Sequence, residues 1–158
     1  MPDIPDQLRP LAFLIGVWRG EGEGLWAAEP QFRYGEELTI TAPPGKPFLR
    51  YEQRTWALDD NRAMHAELGY LRCPSPDAIE LLVVQPIGYT EIHTGRVDGT
   101  ELRLALAELG RAPSAKPVTA VERSLAVRDG AIEYLLRLGM NGEPAADHLH
   151  AVLRRAEG

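Results

Sequence analysis

Apolar and polar residues alternate along most of this chain with the two-residue period of a β-strand. The segment IEYLLRL sets Ile132, Tyr134, Leu136 and Leu138 on one face, with Glu133 and Arg137 on the other. MHAELGYLR groups Met64, Ala66, Leu68 and Tyr70, opposite His65, Glu67 and Gly69. FRYGEELTI gives Phe32, Tyr34, Leu38 and Ile40, with Glu36 as the misfit on that face. Such segments predict half-buried strands, apolar side in and polar side out. They recur over 17–26, 31–41, 47–57, 63–73, 78–85, 88–97, 101–109, 116–128, 131–139 and 147–154. Between them lie APPGK, LDDNRA, PSPD, PIG, VDGT, LGRAPSA, RDG and NGEPAA, rich in the residues that make tight turns.

One stretch near the start has a helical look. In IPDQLRPLAFLIG, Asp6 is placed to cap, Leu8, Leu11, Phe13 and Leu14 to face a core, and Gly16 to end the helix. Pro10 keeps it short. Short strands at regular spacing, joined by tight turns, predict an all-β fold: one ten-stranded antiparallel barrel with a short N-terminal helix, spanning 1–158 as a single domain. About ten strands enclose more room than side chains alone must fill, so an internal ligand cavity is expected.

Composition narrows the partners. The chain has 158 residues, a net charge of −6 and 44% hydrophobic residues. The acidic balance argues against nucleic acid or an anionic membrane held by charge. No apolar run reaches the roughly 18 residues of a membrane-spanning helix, and MPDIPDQLRP lacks the basic start of a signal peptide. The single cysteine, Cys73, excludes an intrachain disulfide. A cytoplasmic location is expected.

The candidate chemistry is sparse. GVWRGEGEG puts Trp18, Gly20, Gly22 and Gly24 in one phase, and Trp26 follows. It is neither a dinucleotide loop nor a phosphate loop. Alternate glycines leave either a bare wall, open to a flat ligand or another backbone, or a strongly bent barrel strand. His148 and His150 share a face by simple alternation and would bind zinc only with a third ligand, whereas one imidazole is enough to hold a haem iron. Ser75, Ser114 and Ser124 sit in no nucleophile elbow, Cys73 reads as an inert structural thiol, and Glu36 and Glu37 read as exposed strand-face carboxylates.

Six blocks taken in order carry a resemblance: LAFLIGVWRGEGEG, YGEELTI, GKPFLRYEQRTW, HAELGYLR, ELLVVQPIGYTEIHTGRVDG and DHLHAVLRR. Together, from about Leu8 to Arg155, they resemble nitrobindin, a family of haem-binding β-barrels related in architecture to fatty-acid-binding proteins. The Gly-x-Trp-x-Gly-x-Gly motif falls on Gly16, Trp18, Gly20 and Gly22. The resemblance implies one ferric haem b per chain in the barrel mouth, its iron held by His148 of the HLHA segment. It also implies binding of nitric oxide and isomerisation of peroxynitrite to nitrate. Carried over residue by residue, the haem-contacting set is His148, Gly16, Trp18, Gly20, Gly22, Ala28 and Leu138. Trp26, Ala27 and Ala28 stand where the family has Tyr-Pro-Thr, and Leu138 where a methionine is frequent. The alternative is a haem-free, lipocalin-like carrier of a small hydrophobic molecule; a homodimer is left open.

The pattern also poses a geometric condition. Strict alternation with Leu149 inside would turn His148 outward, so haem ligation requires a β-bulge or a rim position for His148. His148 is therefore expected at the rim, facing the barrel opening.

Overall fold

The computed structural model describes residues 3–27 and 29–156. Ten antiparallel strands follow one 3₁₀ helix, Asp6–Leu14: β1 Gly16–Trp26, β2 Glu29–Thr41, β3 Phe48–Ala57, β4 Ala63–Ser75, β5 Ala78–Gln85, β6 Tyr89–Asp98, β7 Glu101–Arg111, β8 Val118–Arg128, β9 Ala131–Met140 and β10 Ala146–Arg155. Each pairs with its sequence neighbours, and β1 closes on β10, so the sheet is a complete barrel without free outer strands. Asp98-Gly99 and Asp129-Gly130 make the expected tight hairpins, and Asp129, Gly99 and Gly130 all adopt positive φ. Among the described residues no helix is long and apolar enough to cross a membrane.

The helix closes one end of the barrel. Leu8, Leu11 and Leu14 are fully buried, three residues apart as the three-residue turn of a 3₁₀ helix requires. Asp6 does not cap it: the N-cap is Pro5 with no side-chain bond, and Asp6 instead accepts from Arg9 Nε at 2.7 Å. Trp18, at the start of β1, donates its indole N–H to Leu14 O at 2.8 Å. The Arg155 guanidinium lies 4.1 Å above its ring and ties the last strand to this base. The other end is a mouth, where the turns β3–β4, β5–β6, β7–β8 and β9–β10 meet.

β4 corrects one sequence expectation. His65, Glu67, Gly69, Leu71 and Cys73 point inward, while Leu68 (56% exposed), Tyr70 (47% exposed) and Ala66 face out. Alternation alone could not tell the sides apart, because the inward polar residues find partners across the barrel. β7 and β8 are the one weakly joined pair. Only Glu101–Arg103 pair with Ser124–Ala126, and beyond them Leu106, Leu109, Val118 and Val121 pack in a separate apolar cluster.

The glycine stripe is also corrected. It is not a bare wall, because the opposing β2 pairs Gly22 with Tyr34 and Gly24 with Phe32. A Cβ on Gly22 would fall on the Tyr34 ring and within 2.8 Å of the Ala151 Cβ, and one on Gly24 would meet the Phe32 ring. A Cβ on Gly20 would strike the backbone of Val152 in β10. The glycines make room for two aromatic rings and for close strand approach.

Candidate functional site

A cavity of about 290 Å³ runs from the mouth into the barrel. Its lining is apolar at the base, from Leu14, Leu38, Ile40, Leu71, Leu81 and Leu102. A polar belt crosses its middle, and His148, Leu138, Met64, His65 and Lys116 also line it.

His148 reaches the cavity because β10 is bulged. Asp147 pairs with Arg137 and Leu149 with Leu136, so His148 is the extra residue between two consecutive rungs. The bulge lets His148 and Leu149 both line the cavity, whereas His150 resumes alternation outside, 3.1 Å from Glu133. The condition set by the sequence is thereby met, and the two histidines are parted. Burial, followed by the positive charges of His65 and Lys116, holds the His148 imidazole below its ordinary pKa. Among the described residues its ring has no hydrogen-bond partner. It is thus a neutral base with lone-pair capacity on the cavity wall, beside the apolar side chains of Leu138 and Leu149. An iron porphyrin needs one such ring and an apolar wall, so the residues present fit haem.

The other expected contacts divide. Leu138 lines the cavity; Gly16, Trp18, Gly20 and Gly22 do not. Trp18 is buried in the base, Gly16 abuts Arg155, Gly20 abuts the Val152 backbone and Gly22 lies behind Tyr34, as Gly24 does behind Phe32, so it is these two rings that face the chamber. Ala28 lies outside the described residues, and Trp26 beside it is 76% exposed.

The polar belt was not anticipated. Arg123 of β8 bridges two buried carboxylates, donating to Glu67 at 2.9 and 3.0 Å and to Glu91 at 2.7 and 2.9 Å. Gln85 donates its amide to Glu67 at 2.6 Å and Glu91 at 2.9 Å, which leaves its carbonyl to accept from His65 Nε2 at 2.7 Å. Tyr51 donates to Glu67 at 2.7 Å, and His93 lies 2.8 Å from Glu91. Although burial opposes charge at both carboxylates, Arg123 and the hydrogen bonds hold Glu67 far below the carboxylate range and Glu91 at about 2. Facing Glu67 and Gln85, His65 is pushed above the ordinary imidazole value. The signal in the sequence was phase: Arg123 shares the inward alternation of Val121 and Leu125, as Glu36 does with Tyr34 and Leu38.

Glu36 is the third buried acid, 1% exposed rather than solvated as expected. It accepts a short hydrogen bond from Tyr134, whose oxygen lies 2.7 Å from that of Tyr34. Burial raises it to about 7 despite Tyr134 and Gln53. Glu37, the next residue, faces out between Arg19 at 2.6 Å and Arg54 at 3.1 Å.

A closed barrel with a deep cavity and one unpartnered imidazole on its wall defines a small-ligand-binding β-barrel suited to a metalloporphyrin. More particularly, residues 7–155 match the THAP4-like, heme-binding beta-barrel domain, and the chain belongs to that family. It is 44% identical over 155 residues to peroxynitrite isomerase 1 of Rhodococcus jostii (strain RHA1), covering 98% of this chain and 86% of that one. It is 47% identical over 159 residues to the peroxynitrite isomerase of Nocardia farcinica (strain IFM 10152), covering 98% and 91%. Among solved structures, Rv2717c from M. tuberculosis superposes with a TM-score of 0.88 at 40% identity, covering 98% of this chain and all of that one.

Proposed function

We propose that this barrel binds one haem b per chain through His148 and isomerises peroxynitrite to nitrate. The observation that carries the reading is the bulge at His148, which turns an unpartnered, neutral imidazole into the cavity. The membership in a haem-binding family and the names of the two actinobacterial relatives support it.

Haem bound there would supply a ferric iron able to rearrange peroxynitrite into its isomer nitrate with no net change of electrons or protons. The chain's own part is binding and environment. His148 holds the iron, and Leu138, Leu149 and Phe32 offer apolar surface beside it. His65, fixed by its bond to Gln85, presents a partly cationic imidazole to the same chamber, suited to an anionic substrate. We place nitric oxide among its ligands, Leu138 among its haem contacts, and the protein in the cytoplasm. The charged belt of Glu67, Arg123 and Glu91 crosses the cavity and suits a plain carrier of an apolar chain poorly.

The test is product formation. Hemin-loaded protein should speed peroxynitrite loss with nitrate as the product, and His148→Ala should lose that acceleration at least tenfold. Equal rates for loaded wild type, the variant and free hemin would end the reading.

A further inference from the structure

The belt has a carboxyl group that none of the preceding roles uses. Glu36 sits inside the barrel on β2, and the two tyrosines hydrogen-bonded in series to it, Tyr134 and Tyr34, line the cavity that His148 lines. With Glu36 ionised, the Tyr34 hydroxyl donates to Tyr134 and Tyr134 donates to the carboxylate. The neighbours facing Glu36 are Tyr34 on its own strand, Tyr51 and Gln53 on β3, Glu67 on β4, Arg123 on β8 and Tyr134 on β9. Only Arg123 among them is cationic, and its guanidinium is committed to Glu67 and Glu91. Gln53, 6% exposed and also lining the cavity, has its carbonyl oxygen unpartnered. So Glu36 has hydrogen bonds to stabilise its anion but no counter-charge of its own.

A ferric porphyrin core carries one more positive charge than a ferrous one. The missing counter-charge for Glu36 would then be the cofactor itself, which Glu36 reaches through Tyr134 and Tyr34 on the cavity wall. We propose that Glu36 poises the bound haem: its ionised carboxylate, held by Tyr134 and Tyr34, favours the ferric over the ferrous state. This rests on haem binding through His148. Reduction adds one electron to the iron and, where Glu36 titrates, one proton to its carboxylate. By reciprocity, ferric haem makes Glu36 more acidic. The ferric state is the one that isomerisation needs, so Glu36 acts as a positioning residue for charge and touches no reacting atom. Burial places its titration near neutrality, where cellular pH can act on it.

The experiment is an electrode titration of hemin-loaded wild type, Glu36→Gln and Tyr134→Phe from pH 5.5 to 8.5, each first shown to load by its Soret band. Wild type should fall in midpoint potential as pH rises. Glu36→Gln should match wild type at pH 5.5, keep only the shallower slope that His65 in the same cavity gives to both proteins, and at pH 8.5 favour ferrous haem about tenfold more, about 59 mV higher. Tyr134→Phe removes a bond that favours the anion, so it should move the fall to higher pH; this arm serves if Glu36→Gln does not fold. In the haem-free protein, carboxyl-carbon magnetic resonance should find one Glu titrating near neutrality, absent from Glu36→Gln. A flat wild-type potential, a pH dependence as steep in Glu36→Gln as in wild type, or an offset already present at pH 5.5 would overturn the proposal. Failure of wild type to load would instead strike the haem reading on which it rests.

Discussion

His65 and His148 face one cavity from β4 and β10, and the positive charge on His65 is one of the forces that keep the His148 imidazole neutral. Ligation needs the neutral ring, because a proton and a metal compete for the same lone pair. Hemin affinity should therefore be flat from pH 8 to about 6.5, the ordinary imidazole value, and fall about tenfold per unit only below it. His65→Leu should raise the His148 pKa and shift the fall to higher pH. Hemin titrations across pH 5 to 8 check both; a fall already complete by pH 7 in wild type would contradict the placement of His148.

Arg123 should be worth more at neutral pH than in acid. Arg123→Met leaves Glu67 and Glu91 buried and uncompensated, a change that costs about 3–5 kcal/mol. The sign follows from the depressed carboxylates. Glu91, held at about 2 in the fold, contributes stability above its unfolded value of about 4.3 and loses it as pH falls towards 2. Urea melts at pH 7 and pH 4 should show the gap between wild type and variant narrowing in acid. A gap independent of pH would mean that Arg123 acts by packing alone.

Glu36 has the opposite sign. Its raised pKa means that the folded state holds a proton that the unfolded chain has released between about pH 4.3 and 7. Haem-free wild type should lose up to about 4 kcal/mol of stability across that window from this group. Glu36→Gln should be spared that loss, and urea melts at pH 5 and pH 8 measure the difference. Equal losses in the two proteins would refute the assignment of the raised pKa to Glu36.

Gly22 should not accept a side chain. The Cβ of Gly22→Ala would press on Tyr34, which cannot move without breaking its 2.7 Å bond to Tyr134, and on Ala151. Overpacking of this kind costs about 1–3 kcal/mol, read as a lower Tm of the haem-free protein. An unchanged Tm would mean that the ring moves aside freely.

These residues also mark what the sequence could convey. Turn chemistry and alternation placed all ten strands within about two residues of their ends. The bulge at His148 was legible as a condition, because alternation and ligation conflicted there. The inward face of β4 was not legible, since its polar residues look solvated until Arg123, Gln85 and Tyr51 arrive from β8, β5 and β3. The glycine stripe was legible as missing side chains, but what fills the gap comes from β2, through a register that a single strand does not encode. Buried charge is a property of pairs from distant segments, so one strand's pattern hides it.

The proposed haem chemistry depends most directly on His148 as the iron ligand. Titrating hemin into haem-free wild type and His148→Ala, with the Soret band followed at pH 7.5, tests it in one measurement. Ligation by His148 predicts a saturable one-to-one Soret shift in wild type, and in the variant a spectrum resembling free hemin with affinity at least a hundredfold weaker. Matching spectra and affinities for the two proteins would contradict it.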